Sequence, residues 1–410
     1  MDFSHELVER FLRYVAIESQ SNGRSVHVPS SPGQLELALV LARELREMGM
    51  RDVCVDDQAI VTAVRPGNVA NAPCIGFIAH LDTVDVGLSP VIRPQIHRFV
   101  GEDLCLNPGE DIWLRTEEYP EIKQWRDQDI LTSDGTSVLG ADNKAAIAVI
   151  MTLSAHLDKL GDHGDIVVAF VPDEEIGLRG ARALDLARFP CDFAYTIDCC
   201  ELGEIALDNF NAASGEIKFN GVSAHPMSAK GVLINPLLMA VDFINHFDRN
   251  DTPECTEGRE GFIWFSDLVA DDSQATLQVL VRDFDPHQFD RRKQWITAIA
   301  ENMRWQYPTG SIECTLTDTY RNFGASLSRD PRAAELLFAA LDKTSVQAKL
   351  IAMRGGTDGA ILSERGIPTP NMFTGAYNFH SRFEFLPVPA LAKSLEVARA
   401  LCRLAASRRE

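Results

Sequence analysis

Residues 165–177 read DIVVAFVPDEEIG. An apolar run from Ile166 to Val171 stops at Pro172 and gives way to three acids, Asp173, Glu174 and Glu175. A continuous apolar run of this length reads as a strand buried on both faces, the form taken in a parallel sheet covered by helices. Side chains alternate along a strand. Two adjacent glutamates therefore share a direction only where the backbone has already left it. The stretch predicts a central strand whose carboxyl end presents carboxylates, stopped there by a proline that cannot extend the pairing.

The pattern on either side agrees. Helical periodicity covers 2–18 and 34–48, the second opened by Ser-Ser-Pro-Gly and closed at Gly49. Short β-rich runs follow at 52–56, 59–65 and 75–80, and a long helix pattern spans Lys144–Leu160. Another helix and the strand FAYTID (193–198) complete the alternation. Strands alternating with helices imply an α/β fold, a mostly parallel sheet with helices on both faces. The polar, turn-rich stretch 100–137, with Trp113 and Trp125, takes no assignment from its pattern.

From about 213 the rhythm changes. Strand GEIKFNGV, a helix near 234–247, β-rich segments at 261–268 and 275–285, a helix at 287–306 and strand SIECTLTDTY (311–320) follow in turn. That β-α-β-β-α-β order is the split pattern of a ferredoxin-like α+β domain. After 330 the α/β alternation resumes with a helix at 331–343, a strand at 347–353, the turn RGGTDG, a short helix and a final helix at 388–407. The expected organisation is one α/β domain in two segments, 1–212 and 326–410, with a second domain inserted at 213–325, which the family resemblance described below makes a catalytic domain and a lid or dimerisation domain. The 410 residues suit two domains.

A formal net charge of −20 argues against nucleic acid or an anionic membrane as partner. The nine cysteines are scattered, with no CxxC pair, so neither a disulfide framework nor a thiolate zinc site is expected. The N-terminus MDFSHELVERFLRYVAIES is acidic and amphipathic, unlike a signal peptide. No apolar run reaches the ~18 residues of a membrane span. A cytoplasmic protein is the expectation.

In an open parallel sheet, ligands bind outside the carboxyl ends of the strands. CIGFIAHLD ends in His80 and Asp82, VLGADNK places Asp142 before a helix, the opening stretch ends in Glu174 and Glu175, and FAYTID ends in Asp198. His380, in GAYNFHSRFEF, is a fifth candidate. Singly, each has an ordinary reading: Asp142 as a helix cap, His80 as a polar strand end, the glutamates as a solvated loop. Those readings weaken together. Gathered carboxylates raise one another's pKa, and no run of basic residues lies beside them in the sequence. A divalent metal pair would balance them. With His80, Asp142, Glu175, Asp198 and His380 as ligands and one carboxylate bridging, each metal receives three protein ligands and room remains for a shared water. Zinc accepts such a nitrogen and oxygen set, and two metals turn that water into a nucleophile. Glu174 is then free as general base, and Asp82 can orient the His80 ring through its other nitrogen.

The segments HLDT (80–83), LGADNKAAIA (139–148), VPDEEIG (171–177), YTID (195–198), NFNAASGEIK (209–218), RGGTDGAILS (354–363) and FTGAYNFHSRFEF (373–385) together resemble the M20 metallopeptidases, in the branch of the peptidase T tripeptide aminopeptidases. The resemblance spans essentially the whole chain, in order. It implies two zinc ions per subunit, replaceable by cobalt or manganese. Asp142 is then the bridge, His80 and Asp198 complete one site, and Glu175 and His380 the other. It also implies Glu174 as base, Asp82 as the acid behind the site, and His225 of SAHPMSAKG (223–231) at the scissile carbonyl, in its own or a partner subunit's site. Arg354 resembles the residue that takes the C-terminal carboxylate of a small peptide substrate. Asn235 and Arg282 are further substrate candidates, with a solvated strand end as the other reading of Arg282. A homodimer through the lid is one arrangement and a monomer the alternative.

The chain departs from the family pattern at Asn143, where an acid is usual, and at Cys199 and Cys200, where glycines are. The expected activity is removal of the N-terminal residue from tripeptides. A dipeptidase or N-acyl-amino-acid amidohydrolase, and a catalytically idle metal-binding homologue, are the alternatives.

Overall fold

The computed structural model describes residues 2–159 and 161–407. Two compact units emerge: one comprises the chain through Leu207, Phe323–Ile351 and the chain from Thr357 onward, the other Asp208–Asn322 with Ala352–Gly356.

Among the described residues the first unit is built on an eight-stranded sheet. Its order is Arg51–Val55, Val61–Arg65, Ile166–Val171, Ile75–His80, Phe193–Cys199, Asn371–Phe373, Glu204–Ala206 and Lys349–Leu350. The four strands from Ile166–Val171 to Asn371–Phe373 run parallel, as the apolar run at 166–171 requires. All six residues of Ile166–Val171 are buried. The helix Ala141–Ala155 is buried from Ala141 to Ser154, hence apolar on every side rather than striped. A 3-10 turn, Leu157–Lys159, follows it; Leu160, the last residue of the expected helix, lies outside the described residues. By contrast, the first helix, Ser4–Val15, buries only the stripe Leu7, Phe11, Tyr14 and Val15.

The stretch whose pattern took no assignment forms a satellite layer. Strands Pro94–Phe99, Gln128–Ser133 and Phe385–Pro387 make a three-stranded antiparallel sheet, and Leu104–Asn107 pairs with Ile112–Leu114. Phe99, Leu114, Ile130, Tyr377 and Phe385 share its core. This sheet anchors the residues just after His380.

The second unit is a four-stranded antiparallel sheet in the order Phe262–Ala270, Gln274–Asp283, Asn211–Asn220, Ser311–Tyr320. With the helices Pro236–Ile244 and Pro286–Met303 it has the expected β-α-β-β-α-β order. Alternate residues of Gln274–Asp283 are buried, the signature of a sheet with one face on a core. Phe219, Phe243, Phe289 and Ile296 fill that core. Asp285 caps the longer helix, its carboxylate accepting from the His287 and Gln288 N–H groups. Among the described residues no helix is long and apolar enough to cross a membrane.

Candidate metal centre

Register brings the site together. His80 is paired with Val171 on parallel neighbouring strands, so Asp82 and the acids after Pro172 emerge side by side. Asp198 arrives on the other flank of Ile75–His80, where Phe193–Cys199 pairs with that strand. Asp142 enters at the head of the buried helix, after Gly140 at φ +75°. A Cβ at Gly140 would lie 3.0 Å from both Ile92 Cδ1 and Thr83 Cγ2, so the turn that delivers Asp142 needs a glycine twice over.

The three acids in a row have three different environments. Asp173 is buried and left-handed, at φ +57°. It is held by Ser30 Oγ at 2.5 Å, Gln34 Nε2 at 2.7 Å and the Ser30 N–H at 2.8 Å. This anchor turns the chain out of the strand and compensates the left-handed backbone. The next two residues then present successive N–H groups to Asp82: Glu174 N to Oδ1 at 3.0 Å and Glu175 N to Oδ2 at 3.1 Å. With both N–H groups turned to one partner, the alternation of a strand no longer applies to Glu174 and Glu175.

Asp142 stands between two imidazoles. Its Oδ1 lies 2.8 Å from His80 Nε2 and its Oδ2 lies 3.0 Å from His380 Nε2. The same His380 nitrogen is 3.0 Å from Glu175 Oε1. Asp198 Oδ1 is 3.9 Å from His80 Nε2. Ligand atoms of His80, Asp142 and Glu175 all fall within 4.8 Å of one another. The other nitrogen of His80 faces Asp82, at 3.2 Å from its carbonyl and 3.3 Å from its Oδ1.

These contacts fit a cation better than protons. One His380 N–H cannot serve both Asp142 and Glu175, and Glu175 Oε1 is buried with no hydrogen-bond partner among the described residues. Burial, with the Asp142 carboxylate next, pushes the pKa of Glu175 up and that of Asp198 well up. Burial also drives Glu174 well above the usual carboxylate range, with Asp198 and Glu175 adding to it. For His80 burial acts the other way, yet the Asp142 and Asp82 carboxylates raise its pKa well above the ordinary value. Burial opposes the ionisation of Asp142, yet its bonds to the two imidazoles hold it below the usual carboxylate range, whereas Glu174, Glu175 and Asp198 are raised and remain short of positive charge. A divalent ion would reverse that balance, and imidazole with carboxylate is a donor set zinc accepts.

Behind these residues lie supports that the sequence reading did not single out for a role. Asn143 Nδ2 donates to Asp198 Oδ1 at 2.9 Å and to Ile197 O at 2.8 Å. The Asn143 amide thus supplies hydrogens that a carboxylate at this position would lack. Thr357 Oγ1 donates to Asp198 Oδ2 at 3.3 Å. Glu384 accepts from the N–H groups of Leu139, Gly140 and Asp142. Lys144, wholly buried, donates to Asp82 O at 2.9 Å. Each left a trace in the sequence: Glu384 is an acid between two phenylalanines, and Lys144 opens the apolar run AAIAVIM.

Four expected substrate residues lie in the second unit, each with partners of its own. His225 Nδ1 accepts the Met227 N–H at 3.2 Å. Asn235 Oδ1 caps the helix Pro236–Ile244 through the N–H groups of Leu237 and Leu238. Arg282 donates to Ala213 O and Val281 O and lies over the Tyr320 ring. Arg354 donates to Gly258 O, Glu260 O and Thr256 Oγ1, with its guanidinium over Phe210 and Phe262.

A family model described as peptidase family M20/M25/M40 matches residues 139–404. A peptidase T-like protein of Rhizobium meliloti (strain 1021) is 67% identical over 407 residues, covering 99% of this chain and all of the relative. A peptidase T of Listeria monocytogenes serotype 4b (strain CLIP80459) is 41% identical over 403 residues, covering 97% of this chain and 98% of the relative. Among solved structures, a tripeptidase from Staphylococcus aureus subsp. aureus Mu50 superposes with a TM-score of 0.78 at 20% identity, over 99% of both chains.

Proposed function

The chain belongs to the peptidase family M20/M25/M40, and from that premise we propose that it is a cytoplasmic tripeptide aminopeptidase holding two zinc ions. The observation that carries the reading is Asp142, whose two oxygens face His80 at 2.8 Å and His380 at 3.0 Å. A carboxylate shared in this way suits a pair of ions. His80, Asp142 and Asp198 would hold one; Asp142, Glu175 and His380 would hold the other. Zinc bound there would supply Lewis acidity and a water acidified toward neutral pH.

The protein's own residues do the rest. Glu174 takes a proton from the attacking water and returns it to the departing amine. Asp82 fixes the His80 tautomer through Nδ1 and holds the backbone of both glutamates. His225 is the proposed donor to the scissile carbonyl, in its own chain or across a homodimer. Arg354 is the proposed clamp on the C-terminal carboxylate, with Asn235 and Arg282 as secondary contacts. A guanidinium paired to that carboxylate would set the distance from peptide end to metal, and so select length. The names of the relatives, peptidase T and tripeptidase, support that choice of substrate.

The test is one substrate series on zinc-loaded protein: a dipeptide, a tripeptide, a tetrapeptide and an N-acetylated tripeptide, with and without chelator. Cleavage of the free tripeptide alone, abolished by chelator, is the expected result. Turnover of the dipeptide or the acetylated peptide at comparable rates would move the assignment to a dipeptidase or an amidohydrolase. Silence on all four would leave a metal-binding homologue without turnover.

A further inference from the structure

Lys144 is among the largest fully buried side chains in the molecule, and the proposed chemistry leaves it without a task. An ammonium taken out of water is costly unless it is paired. Lys144 Nζ bonds the backbone carbonyl of Asp82 at 2.9 Å.

That carbonyl sits at a junction. It also faces His80 Nδ1 at 3.2 Å, while the Asp82 carboxylate receives the N–H groups of Glu174 and Glu175. Lys144 lies two residues beyond Asp142, and its own N–H is fixed to Gly140 O at 3.1 Å. One side chain therefore ties the turn that carries Asp142 to the strand end that orients His80, Glu174 and Glu175.

We propose that Lys144 is a positioning residue, whose bond to the Asp82 carbonyl sets the spacing between the His80–Asp82 strand end and the Asp142 turn and thereby the metal affinity of the centre. The inference rests on the zinc reading given above. Charge and position make opposite predictions. A cation beside a dication is repulsive, so if only its charge counted, neutralising Lys144 would tighten zinc binding. If the bond counts, the same change loosens the ligand set and weakens zinc.

The experiment compares wild type with Lys144→Met, which keeps the length and the apolar stem without the donor. Zinc affinity is measured on the apo proteins by competition with a chromophoric chelator, alongside circular dichroism and the thermal midpoint of the apo forms. The expected result is zinc bound about 10- to 100-fold more weakly, the range for a lost support behind a ligand. At saturating zinc, kcat should fall while KM stays near the wild-type value. Equal or tighter zinc binding by the folded variant overturns the proposal, as does a lowered thermal midpoint with unchanged affinity and kcat. Should Lys144→Met not fold, Lys144→Leu, likewise apolar and without a donor, is measured in the same way and judged by the same sign. Wild-type protein that binds zinc but cleaves no peptide would defeat the peptidase reading and leave the affinity comparison intact.

Discussion

Asp142 donates its backbone N–H to Glu384 Oε1 at 3.2 Å, across 242 positions of sequence. The other oxygen of Glu384 takes the N–H groups of Leu139 and Gly140, both at 2.8 Å. Glu384 follows His380 by four residues, so the segments carrying His380 and Asp142 are held to each other through the Asp142 backbone as well as through the His380–Asp142 side-chain contact.

Glu384→Ala would strip three N–H groups of their acceptor inside a water-poor interior. An unsatisfied buried group costs about 1–3 kcal/mol, and partial repacking makes about 2–4 kcal/mol in all the expected loss. A urea midpoint lowered with an unchanged slope checks it. Zinc affinity should weaken in the same variant, because Asp142 loses the acceptor that fixes its turn.

Metal removal should destabilise the whole first unit. Glu174, Glu175, Asp198 and Asp358 all have raised pKa values, with burial the leading cause in each. Ions that bind the folded state alone add about 2.7 kcal/mol at a free concentration 100 times Kd. The thermal midpoint should therefore fall in chelator and return on adding zinc. An unchanged midpoint would speak against a metal centre.

Glu174→Gln keeps size and leaves the Glu174 N–H bond to Asp82 available. Zinc content should stay at the wild-type level. The rate should drop by about 10²- to 10⁴-fold, the usual worth of a positioned proton carrier. Substantial turnover by this variant would remove Glu174 from its assigned role.

Arg354→Lys keeps the charge and loses the fork. On the proposed reading KM for the tripeptide rises by about tenfold or more, since a carboxylate held bidentately loses one of two parallel bonds. Discrimination between tripeptide and tetrapeptide should narrow together with it. A rise in KM shared equally by all peptides would argue for a structural arginine that only braces Thr256, Gly258 and Glu260.

Acid sensitivity away from the centre should trace to Glu6. Partial burial opposes its ionisation, yet hydrogen bonds from His156 at 2.6 Å and Arg10 at 3.0 Å hold its pKa below the usual glutamate value. A depressed carboxylate contributes stability that is present above the unfolded pKa and is lost as pH falls through the folded one. Between those two values, stability should decline less steeply in Glu6→Gln than in wild type, as read from urea midpoints across acidic pH.

Much of this architecture was legible in the amino-acid sequence because its determinants are local. The apolar run Ile166–Val171 announced a doubly covered strand, and Pro172 announced where it stops. The order β-α-β-β-α-β in the second unit could be read from changes in period alone. Strands that depend on remote partners escaped. Asn371–Phe373 is three residues long and exists because Phe193–Cys199 and Glu204–Ala206 bond it on either side. Pro94–Phe99 and Gln128–Ser133 pair with each other and the latter with Phe385–Pro387, which no window of sequence contains together.

The candidate site divides in the same way. Residue type and local position are properties of the chain itself: a strand's end nominated His80, Glu174, Glu175 and Asp198, a helix start Asp142, and the segment GAYNFHSRFEF His380. The tertiary structure alone decided which groups stand behind them: Asp173 on Ser30 and Gln34, Asn143 on Asp198, Lys144 on the Asp82 carbonyl, Glu384 on the Asp142 turn. The reason is physical. A polar side chain in the interior must find a partner, but the partner is set by which backbones the fold brings within about 3 Å, and that distance is not written in any local pattern.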